Sequence, residues 1–134
     1  MRVFCGPGQT RFAQEQVGSG LDIVECGSVE SWGRELSSCA AIVTLDSGPM
    51  HLADAIGVPV VALFGQGWLP FWAPSGKHSR VIAHQDDPDF TVCHPIDENI
   101  PLGQKYMSLI TVREVLEVVE QTLREPPVTD SAQR

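Results

Sequence analysis

Leu45-Asp46-Ser47-Gly48-Pro49-Met50-His51-Leu52-Ala53 joins an almost wholly apolar run, residues 40–45, to a short helical pattern that Gly57 ends. After Pro59 a second apolar run follows, residues 60–64. Strands that are apolar on both faces belong to parallel sheets covered by helices on each side. The same alternation extends outward in both directions. Residues 2–5 and 21–26 read as strands, ended by Gly6-Pro7-Gly8 and Gly27. Between them residues 10–17 read as a helix with Phe12, Ala13 and Val17 on one face. Ser28 is suited to cap a helix over 29–38, with Glu30 in its first turn. Residues 79–84 read as a fifth strand. Residues 111–123 form an amphipathic helix with Val112, Val115, Leu116, Val119 and Leu123 at helical spacing. The pattern predicts an α/β fold of three layers with a mostly parallel sheet. It is expected to form one domain over 1–124, followed by a flexible tail over 125–134 that contains Pro126-Pro127. Two stretches fall outside the alternation and read as loops: 65–78, rich in Gly, Pro and aromatic residues, and 85–110, with Pro88, Pro95 and Pro101.

Composition narrows the function. The chain has 134 residues, 43% hydrophobic and 19% charged, which suits a packed globule rather than a disordered segment. Nine basic against 17 acidic residues leave a net charge of −8, so nucleic acid is not an expected partner. The longest apolar stretch, 56–64, falls well short of the ~20 residues that span a bilayer. The start of the chain turns to Gly6 and Pro7 too early for a signal-peptide core, and a cytoplasmic location is expected. Four cysteines, Cys5, Cys26, Cys39 and Cys93, are far apart and lack a Cys-x-x-Cys spacing. His84 with Cys93-His94 could be drawn as a metal site, but adjacent ligands without a second paired cluster are a weak signal, so no metal is expected.

The chemistry concentrates in residues 46–51. Gly48 permits a tight turn or the close approach of a ligand, and Pro49 suits a first helical turn. Amides at the start of the helix, at the carboxyl end of a parallel strand, form an anion site suited to phosphate or diphosphate. His51 could add a donor to the same anion. Equally, Asp46 or Ser47 could simply cap a helix, with His51 a satisfied interior histidine. Ser47 lacks the Gly-x-Ser-x-Gly setting of a hydrolase nucleophile. Gly6-Pro7-Gly8 lacks the third glycine of a dinucleotide fingerprint. Trp68, Phe71 and Trp72 could stack on a nucleobase, meet a partner, or fill a small core beneath a loop; Trp68 is the best candidate for exposure. Glu30 could accept from a ribose, or could serve only the helix dipole.

Residues 44–53, then Ile56-Gly57-Val58-Pro59 and 60–65, resemble the C-terminal half of glycosyltransferase family nine, the ADP-heptose:lipopolysaccharide heptosyltransferases. Trp72, Pro74 and Gly76 fall where that family has a Trp-Gly-Pro-x-Gly-like loop. Cys93, Pro101-Leu102-Gly103, Met107 and the last helix follow in the family's order. The resemblance implies half of a GT-B fold: a Rossmann-like domain that holds an ADP-sugar, or ADP, at Asp46, Ser47, Gly48 and His51. In that comparison Ser47 and the amides around Gly48, flanked by Pro49 and Met50, would hold phosphate. His51 would donate to phosphate or sugar, Asp46 would orient the loop or bind a sugar hydroxyl, and Trp68 would shield the nucleotide. The family reaction transfers a heptose to the lipopolysaccharide inner core, and no cofactor or protein-held metal is implied. The family enzyme is more than twice as long as this chain. Its N-terminal acceptor-binding half, with the catalytic base, has no counterpart here, nor does the first strand–helix unit of the donor domain. Gln66-Gly67, followed by Trp68, replaces the usual Pro-Thr, and two later cysteines are replaced, one of them by Pro101. The resemblance therefore implies donor binding without transfer activity by this chain alone, with a separate N-terminal half as a candidate partner. A sheet edge left uncovered predicts a homodimer. The alternative function is a non-catalytic module for protein–protein assembly.

Overall fold

In the computed structural model, which describes residues 1–18, 20–86, 90 and 100–125, the chain divides into two units, Met1–Ser38 and Cys39–Arg134. The first unit runs β1 (Arg2–Cys5), α1 (Thr10–Val17), β2 (Asp22–Glu25) and α2 (Val29–Leu36). β1 and β2 are parallel, with Arg2 opposite Asp22 and Cys5 opposite Glu25. A parallel pair needs a crossover, and α1 provides it. Cys5, Ala13, Cys26 and Leu36 are buried in this unit. Phe12 is 65% exposed, so of the face read from sequence only Ala13 enters the core. α2 begins with a capping box in which Ser28 and Ser31 each accept from the other's backbone N–H. Arg2 binds the unit across its elements: its guanidinium reaches Glu35 at 2.6 Å, Asp22 at 3.2 Å and the Ser38 hydroxyl at 3.2 Å.

The second unit contains β3 (Ile42–Leu45), α3 (Gly48–Ala55), β4 (Val60–Phe64), α4 (Leu69–Trp72), β5 (Arg80–Ala83), α5 (Ile100–Leu109) and α6 (Val112–Arg124). Its sheet has the order β3-β4-β5 and both pairs are parallel. β4 is the middle strand, and its Val60, Val61, Ala62 and Phe64 are fully buried, as a run apolar on both faces requires. Full burial of one such large side chain contributes roughly 1.5–3 kcal/mol, so β4 is the anchor of this unit. Met50 and Ala53 of α3 and Tyr106 of α5 are also fully buried.

Three boundaries differ from the sequence reading. α3 begins at Gly48, two residues before the helix expected from sequence at 50–56, because Pro49 fits the first turn where its missing N–H is no loss. The aromatic loop contains a short helix, α4, again with a proline in its first turn. Part of the long connection, Ile100–Leu109, is helical, since Pro101 stands at the start of α5 rather than inside it. α6 is capped by Thr111 with Glu114, a capping box that the sequence reading, which took Thr111 as the first helical residue, did not single out. Its buried side is rotated from the predicted stripe, however. Thr122 is buried and its hydroxyl donates to the Val118 carbonyl at 2.8 Å, whereas Val112, Leu116 and Leu123 are exposed. No helix among the described residues is long and apolar enough to cross a membrane. The predicted tail beyond residue 125 lies outside the described residues.

Candidate functional site

The loop at residues 46–48 leaves the carboxyl end of β3 and enters α3. Ser47 holds the N-cap position with extended backbone, φ −163° and ψ 165°, but its hydroxyl makes no capping bond. Instead it donates back to the Leu45 carbonyl at 3.0 Å and lies 3.3 Å from the Thr44 hydroxyl. α3 also has no acidic residue in its first turn, unlike α2 and α6, each of which has a capping box with an acid nearby. The positive end of the α3 dipole thus receives no compensating side chain of its own, the condition under which an external anion is favoured. His51, one turn in, is exposed and its ring centre is 6.1 Å from that of Trp72. It is therefore not an interior histidine. Met50 is fully buried, so its side chain anchors α3.

Asp46 is exposed as a residue, yet its carboxyl is tucked against the next loop. A Cβ on Gly67 would stand 2.5 Å from Asp46 Oδ2 and 2.8 Å from Phe64 Cδ1, so any side chain here would push the acid or the ring aside. This burial raises the Asp46 carboxyl above the usual carboxylate range, against an opposing pull from His51. The second loop is itself held: Gln85 Nε2 donates to the Gly65 carbonyl at 3.0 Å and the Gly67 carbonyl at 2.9 Å, on either side of the buried Gln66.

Trp68 caps α4, and its ring lies parallel to Phe71, with centres 5.8 Å apart. Phe71 in turn meets Trp72 edge-on at 4.7 Å. All three rings are exposed, so they form a surface rather than a mini-core, and that surface reaches His51 through Trp72. The structure therefore brings together Asp46, Ser47, Gly48, His51, the Gly67 turn and the aromatic rings. Glu30 belongs to the other unit, on α2. Its own N–H and the Ser28 hydroxyl hold its carboxyl below the usual carboxylate range, which accounts for its place in the first turn.

Sequence reading missed Asp54. From the last turn of α3 it accepts the Ser75 N–H at 2.9 Å, the Gly76 N–H at 3.0 Å and the Ser79 hydroxyl, fixing the segment that follows α4. A Cβ on Gly76 would collide with the same carboxylate, so the glycine and the acid form one device. The available signal was an acid one turn after His51 followed by Ser75-Gly76 some twenty residues later, a pairing too distant to read without the fold. His84, considered above as a metal ligand, has its Nε2 3.1 Å from Glu114; Cys93 and His94 lie outside the described residues.

Parallel strands joined by helical crossovers, with a loop at the carboxyl end of β3 opening a helix, define a Rossmann-like α/β protein. Residues 19–96 match the family model of Glycosyltransferase family 9 (heptosyltransferase), and the chain belongs to that family. It is 36% identical over 95 residues to lipopolysaccharide heptosyltransferase 2 of Salmonella typhimurium, a match covering 69% of this chain and 26% of that protein. Against lipopolysaccharide heptosyltransferase 3 of Escherichia coli it is 28% identical over 93 residues, covering 69% and 26%. Among solved structures it resembles a family 9 glycosyl transferase from Veillonella parvula, with a TM-score of 0.69 and 26% identity over 92% of this chain and 36% of that one. The chain thus spans about a quarter of the length of these curated relatives.

Proposed function

We propose that the chain is an ADP-sugar-binding domain of the heptosyltransferase kind and does not transfer the sugar by itself. The observation that carries this reading is the amino end of α3, where Ser47 turns its hydroxyl back onto β3 instead of capping the helix. A diphosphate seated there interacts with the helix dipole and with the exposed His51 imidazole, which donates to a phosphate oxygen. Asp46, held beside the Gly67 turn, offers its carboxyl to a sugar hydroxyl. Trp68, exposed beside the same loops, covers the nucleotide.

Transfer needs a base at the acceptor hydroxyl and a cleft that excludes water. The groups gathered around α3 supply donor contacts and one imidazole on an open surface, which is half of such a cleft. Acceptor binding and the base fall to a second, N-terminal half of the family 9 kind.

Calorimetric titration with ADP and with ADP-heptose, with Trp fluorescence followed in parallel, tests the reading. Saturable binding that is tighter for ADP-heptose and quenches a Trp is expected. His51→Ala should weaken it by roughly tenfold, the worth of about one charge-assisted hydrogen bond, with the far-UV circular dichroism unchanged. Absence of binding at about 1 mM ligand, a threshold near −4 kcal/mol, would remove the donor site and leave the assembly module.

A further inference from the structure

β4 and β5 pair in register as far as Phe64 and Ala83, where both strands end. Continued one step further, the ladder would set Gly65 against His84, and then Gln66 against Gln85. A side chain takes over there. Gln85 Nε2 donates to the Gly65 carbonyl at 3.0 Å and to the Gly67 carbonyl at 2.9 Å. Both partners are acceptors only, so the amide nitrogen must face them, and its two hydrogens match the two oxygens. A single nitrogen bound to residues two apart fixes the turn between them, and Gln66 in that turn is buried.

The turn so fixed is the one that meets Asp46. Gly67 has no side chain to wedge it in place, and a Cβ there would lie 2.5 Å from Asp46 Oδ2. A chain of contacts thus runs from Gln85, beyond β5, through the turn after β4, to the acid after β3, across three neighbouring strands of one sheet. All of it lies within the unit Cys39–Arg134.

We propose that Gln85 is a positioning residue of the donor site: by holding the Gly67 turn against Asp46 it sets where the Asp46 carboxyl stands. Groups that bind a ligand work only within about 0.5 Å of their place, which neighbours locked by hydrogen bonds provide. Without the two Gln85 bonds, the Gly65 and Gly67 carbonyls turn to water and the turn lifts from the acid. The carboxyl then loses the burial that raises it above the usual carboxylate range, while the opposing pull of His51 remains. The effect on the ligand rests on the reading of Asp46 as the group that meets the sugar hydroxyl; the hold of Gln85 on Asp46 does not.

NMR on the full, isotope-labelled chain tests it. In the wild type the Gln85 side-chain amide protons should exchange with solvent far more slowly than those of the exposed Gln104. Gln85→Met and Gln85→Leu remove both hydrogens and add no charge. In each, the Asp46 carboxyl, followed by its carbon shift against pH, should titrate lower than in the wild type, toward the ordinary carboxylate range. Calorimetry should show the preference for ADP-heptose over ADP shrinking several-fold, because ADP reaches α3 and His51 without Asp46. A structural support alone would lower the urea midpoint and leave both the titration and the preference unmoved, and that result overturns the proposal. So does equal exchange at Gln85 and Gln104, which needs no variant to fold. If the wild type binds neither ligand, the donor reading fails, and the Asp46 titration still decides whether Gln85 positions it. A titration that moves while the preference does not confines Gln85 to the loop and overturns its place in the donor site.

Discussion

Asp46 and Gly67 are in such close contact that a methyl group on Gly67 would stand 2.5 Å from Asp46 Oδ2. The turn after β4 therefore sets the position of the acid that follows β3, and two loops at the carboxyl ends of adjacent strands act as one. Gly67→Ala forces either the Asp46 carboxyl or the Phe64 ring to move. Overpacking of this kind costs about 1–3 kcal/mol. Urea denaturation should show that loss, and donor affinity should fall with it. An unchanged unfolding midpoint would mean that the loops yield freely.

The same contact gives Asp46 a pH signature. Burial raises its folded value above that of the unfolded chain, so the folded state keeps this proton to higher pH. Its contribution to stability is greatest below the unfolded carboxylate value. It declines as pH rises through the window up to the folded value and stays low above it. Asp46→Asn has no such decline. Urea midpoints measured from acid to neutral pH should therefore shift in favour of the variant as pH rises through that window. A difference that stays constant with pH would show an ordinary aspartate.

Asp54 is a structural acid whose removal should loosen the far side of the site. Asp54→Ala strips acceptors from two backbone N–H groups and the Ser79 hydroxyl. Hydrogen bonds to charged groups contribute about 1.5–3 kcal/mol each when shielded. These are only partly buried, so a total loss of about 2–3 kcal/mol is expected. Hydrogen exchange at Ser75 and Gly76 should speed up while β4 amides stay protected. Uniform acceleration would instead indicate global loss of the unit.

In the other unit, Ser28→Ala removes the α2 cap and should cost about 1 kcal/mol. It also removes one of the two groups that lower Glu30. The Glu30 carboxyl, followed by NMR titration, should move up toward its ordinary value. No movement would assign the whole shift to the backbone N–H.

Much of this architecture could be read directly from residue order. The apolar run at 60–64 fixed β4 as a buried parallel strand, and Ser28 marked a helix start because capping chemistry is local. Two prolines misled where position within an element decides their effect: Pro70 and Pro101 stood in stretches read as loops but lie in first turns, where they initiate helices. The α6 stripe was legible as amphipathic, but which half faces the sheet depends on packing that spacing does not encode. At the candidate site the 46–51 loop was readable from its turn residues. The contacts that tune it, Gly67 on Asp46 and Asp54 on Gly76, join residues some twenty positions apart and emerge only when strands β3, β4 and β5 lie side by side.

The central claim is that a diphosphate docks at the amino end of α3. It is tested most directly by amide chemical-shift mapping of the uniformly 15N-labelled chain during an ADP titration. The account predicts the largest shifts at Gly48, Met50 and His51, saturating with ligand, with smaller shifts at Gly67 and Trp68. Shifts confined to other regions, or none at ADP concentrations of about 1 mM, would contradict it.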